Sequence, residues 1–112
     1  MIVRMQTLLL VYCVNRHSLR DAIANDSKLG RHGLKVTKHQ QPGRAPGWMK
    51  LHSTKSGRRG ALNLDWDSDA QVLRCRAVNR GKGEPSLVLG DFVEYLFARY
   101  RRRIRMVTIT PL

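Results

Sequence analysis

Apolar residues along the chain fall into three regimes. From Leu8 to Ile23 they recur mostly at three- and four-residue steps (Leu8, Leu9, Tyr12, Cys13, Leu19, Ile23), with Arg16, Arg20 and Asp21 pointing elsewhere. That spacing predicts a helical segment over residues 1–26. Gly30 and Gly33 break it, and alternation takes over. Leu34 and Val36 face one way in a strand from Gly33 to His39, and Trp48 to Ser53 reads as a second strand. The stretch between them, Gln41-Pro42-Gly43-Arg44-Ala45-Pro46-Gly47, is a loop by its proline and glycine content.

The next two strands are the cleanest. Leu62, Leu64 and Trp66 share one face of Ala61 to Trp66, with Asn63 and Asp65 on the other. Leu73, Cys75 and Ala77 share one face of Val72 to Val78, which puts Val72, Arg74, Arg76 and Val78 opposite. Ser56 to Gly60 and Asp67 to Ala70 supply short turns, the second through side chains that bond their own backbone. Short turns between alternating strands predict an antiparallel meander over residues 33–79. A link, Asn79 to Pro85, leads out of it.

Residues 89–110 predict a helix and a last strand. Asp91 and Glu94 have capping-box spacing, and Phe92, Val93, Leu96, Phe97 and Tyr100 follow as an apolar stripe. Arg101-Arg102-Arg103 closes the helix where its dipole favours cations, and Ile104 to Thr110 alternates up to Pro111. The fold class is therefore α+β: an antiparallel meander sheet of four to five strands, packed on one face by an N-terminal and a C-terminal helix. With 112 residues, one domain is expected.

Charge changes the picture from fold to partner. The chain carries 21 Lys and Arg against 8 Asp and Glu, a net charge of +13, whereas a net charge of about 2 to 8 suffices for solubility in a small domain. Between Ser27 and Leu64 stand Lys28, Arg31, Lys35, Lys38, Arg44, Lys50, Lys55, Arg58 and Arg59 without one acid. Arg74, Arg76, Arg80 and Lys82 form a second group, and five arginines from Arg99 to Arg105 a third. A field of this size points to a polyanion. The expected function is binding of nucleic acid, RNA or single-stranded DNA, by a basic sheet face and its loops. Arg44, Trp48, Lys50, Lys55, Arg58, Arg59, Arg74, Arg76, Arg80 and Lys82 are the candidate contacts, with Trp48 or Tyr95 stacking on bases. A purely structural account has Trp48 in the core and Arg74 or Arg76 paired with Asp65 across the hairpin.

Two other functions fit the composition. One is a small basic ribonuclease in which His39 or His52 moves the proton and Arg74 or Arg76 stabilises the phosphoryl group. No acid and base converge by spacing alone, so no catalytic residue is assigned. The other is an interaction protein with an acidic partner, or a homodimer formed through the Leu8 to Val14 segment, which is apolar nearly all round.

No cofactor is expected. His17, His32, His39 and His52 lack metal-ligand spacing, and Cys13 and Cys75 form no C-x-x-C, so both read as buried thiols of a cytoplasmic protein. Seven apolar residues fall far short of the ~20 that span a bilayer. The polar stretch Asn15 to Asp21 separates that run from Ala22-Ile23-Ala24, against a signal peptide. Met1 and Met5 are both possible starts.

Overall fold

The run predicted as the body of an N-terminal helix is a strand. In a computed structural model, which describes residues 5–39, 49–55, 60–79 and 85–112, β1 covers Met5–Cys13 and pairs antiparallel with a neighbour on each side. Leu9, Val11 and Cys13 enter the core, while Leu8, Leu10 and Tyr12 are half-buried on the other face. Because the outward-facing Leu8, Leu10 and Tyr12 are apolar as well and half-buried, the segment lacks the alternation of a one-sided strand. Only α1, Leu19–Ala24, keeps the expected helical state. It starts at Ser18, whose Oγ accepts the Asp21 N–H at 3.1 Å. The segment expected to offer an apolar helix to a second copy is thus a strand over Met5–Cys13, with Leu9, Val11 and Cys13 in the core.

A short 3-10 turn, Leu29–His32, ends at Gly33 with φ +75 and hands the chain to β2, Leu34–His39. Then come β3 (Met49–Ser53), β4 (Ala61–Asp67) and β5 (Val72–Asn79). At the β4–β5 turn the Ala70 N–H bonds the Asp67 carboxylate at 3.1 Å, as expected from the sequence, and Gln71 closes it at φ +58. Helix α2 spans Pro85–Tyr100, and β6 spans Ile104–Pro111. The sheet has six strands in the order β2-β3-β4-β5-β1-β6, every pair antiparallel. The meander accounts for β2 to β5 and the expected terminal strand for β6; β1 is a sixth strand, one beyond the expected four to five.

One face of this sheet is covered. Leu34, Met49, Leu51, Leu62, Leu64, Trp66, Leu73, Cys75 and Ala77 meet Leu19, Ile23 and Leu29 from the α1 side and Val88, Leu89, Phe92, Tyr95 and Leu96 of α2. The buried positions of α2 include Tyr95, fully enclosed, whereas Phe97 of the expected stripe is partly exposed. The capping box is also corrected. Asp91 lies inside α2, buried, and holds Lys55 Nζ at 3.0 Å; the helix begins six residues earlier at Pro85, a residue suited to a first turn. Cys13 and Cys75 are buried free thiols, as expected. Among the described residues no helix is long and apolar enough to cross a membrane.

Candidate nucleic-acid interface

The helices leave the second sheet face open, and alternation decides which side chains it carries. Since Leu73, Cys75 and Ala77 point into the core, Arg74 and Arg76 point out, both exposed. Lys50 lies opposite Asn63 and Asn63 opposite Arg76, a single row across β3, β4 and β5. In the next row Lys35 of β2 lies opposite His52, then Ala61, then Val78. Lys50, Arg76, Lys35 and His52 therefore share one end of the open face. Lys35 was not among the candidate contacts, although its place between Leu34 and Val36 marks it as outward-facing.

His52 reports the local field. Its Nδ1 lies 2.7 Å from the Thr37 hydroxyl, and its pKa is pushed down, first by burial and then by the charges of Lys50 and Lys35. A ring so placed is a neutral member of a cationic patch. Its only side-chain hydrogen-bond partner among the described residues is that hydroxyl, so no carboxylate orients it for the proton transfers of the ribonuclease account.

Arg74 and Lys55 stand differently. Arg74 Nε donates to Asp65 Oδ1 at 2.7 Å across the hairpin, and this hydrogen bond, with the charges of Asp65 and Asp67, raises the guanidinium pKa further. Part of its charge is thus already offset. Lys55 lies on the covered side, its stem against Gly33 and its Nζ on Asp91. Tyr95 is enclosed by the core and cannot stack on a base; the tyrosine that the open face does present is Tyr12, half-buried between Val72 and Met106. Arg44, Trp48, Arg58, Arg59, Arg80 and Lys82, with the stretches expected as loops, lie outside the described residues, as does the side chain of His39.

A second basic cluster forms at the opposite corner of the sheet. The Val14 N–H bonds the Arg103 carbonyl at 3.0 Å, and Arg103 Nη2 bonds the His17 carbonyl at 2.6 Å. These contacts bring exposed Arg16 near exposed Arg101, Arg102 and Arg105. Arg101 lies over the Phe97 ring and Arg103 over Tyr100, which leaves flat cations anchored at the surface.

Among the described residues no group of three His, Cys, Asp or Glu side chains is placed to hold a metal ion. What the open face offers chemically is cationic side chains, Lys35, Lys50 and Arg76, in two adjacent rows. No family model, curated protein or solved structure matches the chain.

Proposed function

We propose that this protein binds single-stranded nucleic acid, with phosphates tracked across the open sheet face by Lys35, Lys50 and Arg76. The observation that carries the reading is the register: Lys50 and Arg76 share a row and Lys35 stands in the next, with no carboxylate in either. Strands fix the backbone spacing from which these cations extend, which suits a repeating polyanion. The chain's net charge of +13 supplies the long-range attraction that brings such a partner in.

Fluorescence anisotropy with labelled single-stranded RNA and DNA at two salt concentrations tests this. The expected result is an affinity that falls log-linearly with salt, by a slope set by the phosphates neutralised. It should weaken in Lys50→Gln and Arg76→Gln. No binding at low salt overturns the reading.

A further inference from the structure

The two edges of the sheet are unlike. Strand β2 is guarded: it carries exposed Lys35, and its ladder with β3 is irregular between Val36 and Lys38. Charge and irregularity are the usual means of keeping an edge from pairing. Strand β6 has neither over its last stretch. Its irregularity comes early, where Arg105 is the extra residue between Ile104, opposite Cys13, and Met106, opposite Tyr12. From Met106 to Thr110 it runs regular and without charge, with Met106 and Ile109 more than half exposed at 52% and 54%.

Hydrogen bonding shows which groups this edge offers. The Leu112 N–H bonds the Gln6 carbonyl at 2.9 Å, and Thr7 stands opposite Pro111. Antiparallel ladders alternate, so Leu112, Thr110, Thr108 and Met106 spend their N–H and C=O groups on β1. Val107 and Ile109 then aim theirs outward. Pro111 falls on the same outward set, where its missing N–H costs the sheet nothing.

From this pattern we infer that β6 pairs antiparallel with β6 of a second copy, about a two-fold axis at Thr108. In that register Val107 of each copy meets Ile109 of the other as a hydrogen-bonded pair, four backbone bonds in all. Thr108 meets Thr108 and Met106 meets Thr110 on the open face. Each Arg105 falls opposite Pro111, so the arginines do not confront one another. Centring on Ile109 instead would set Val107 against Pro111 and lose a donor at both ends. Charge does not bar the union: two chains of net charge +13 repel, but the stretch that pairs, Met106 to Thr110, itself carries no charge. The union makes one twelve-stranded sheet whose two open faces point the same way.

Sedimentation equilibrium of the full chain tests it, together with cysteine scanning. A reversible dimer is expected with a dissociation constant on the order of 10 µM, as suits a small interface. It should tighten with added salt because screening relieves the repulsion between two basic chains. Ile109→Lys should give a monomer, as should Ile109→Pro, which removes an outward N–H and none of the bonds to β1; Lys35→Glu at the other edge should still dimerise. Thr108→Cys should form an interchain disulfide on mild oxidation, since facing residues of a non-hydrogen-bonded pair lie about 4.5 Å apart at Cα. Thr110→Cys should not. A wild-type chain still monomeric at about 100 µM, a dimer that survives Ile109→Lys in a folded protein, or cross-linking at 110 and not at 108 overturns the inference.

Discussion

The Tyr95 hydroxyl donates to Asp26 Oδ2 at 2.8 Å, joining the end of the α1 region to the middle of α2 across 69 residues of sequence. Asp26 also accepts from the Tyr100 hydroxyl at 3.2 Å, from Arg99 Nε at 3.1 Å and from the Lys28 N–H at 2.9 Å. Its side chain is 3% exposed. Burial alone would push this carboxyl up, but the hydrogen bonds from Arg99, Lys28, Tyr95 and Tyr100 outweigh it and hold it well below the usual carboxylate range. Burial and the same contacts push Tyr95 far above the usual phenol, so it stays a donor. The cluster ties the two helical regions to each other over a shared core.

An acid limb in stability follows. With its folded pKa depressed, Asp26 contributes stability above its unfolded pKa, about 3.9, and loses it as pH falls toward the folded value. Asp26→Asn should cost about 1–2 kcal/mol at pH 7, and the difference from wild type should shrink below about pH 4. Urea unfolding at pH 7, 5 and 3 measures it. A gap that stays constant with pH contradicts the assignment.

Gly33 and Gly30 should respond oppositely to alanine. Gly33 sits at φ +75, and a Cβ there would lie 2.8 Å from Lys55 Cε. Lys55 can swing aside only by straining its Nζ contact with Asp91. Gly33→Ala is expected to cost about 1–2 kcal/mol. A Cβ on Gly30 meets nothing within 4 Å, so Gly30→Ala should be neutral or stabilising by up to about 1 kcal/mol. Thermal denaturation should place Gly33→Ala below wild type and Gly30→Ala at or above it.

Arg76 and Arg74 differ by one ion pair, and binding should show it. Arg76→Gln should reduce the salt slope of nucleic-acid affinity by about 1. Arg74→Gln should change it less, because Asp65 already offsets that charge. Asp65→Asn should strengthen binding by releasing Arg74. Equal effects of the two arginine variants in anisotropy titrations would mean that the pair does not hold in solution.

Neither thiol should react in the folded protein. Burial pushes Cys75 well above the usual thiol range and raises Cys13 as well, with the Arg103 charge partly opposing the latter. Both are at most 2% exposed. Reaction with a disulfide reagent should proceed at the rate of unfolding in buffer and at once in urea, releasing two equivalents. Fast release of one equivalent in buffer would place a thiol at the surface.

Much of the fold was legible because most elements carry a one-sided pattern. Strands β4 and β5 show the alternation of a sheet with one wet face, and the Asp67 turn between them shows its side-chain chemistry. Strand β1 hid for the opposite reason: Leu8 and Leu10 on the open face are as apolar as Leu9 and Val11 in the core, so no two-residue period survives. The Asp91–Glu94 spacing matched a helix start, yet Asp91 is buried to meet Lys55, 36 residues away in sequence. No local pattern carries that pairing.

For the candidate site the division is the same. By itself the sequence determined which residues alternate outward, Arg74 and Arg76 among them, and the net charge of +13. Only the tertiary structure decided that Lys50 and Arg76 share a row, that Lys35 joins them, that Arg74 faces Asp65, and that Lys55 and Tyr95 serve the core side. The reason is physical. Facing is a local property of a strand, fixed by its two-residue period, whereas neighbours across a sheet depend on strand order and register, which long-range burial selects.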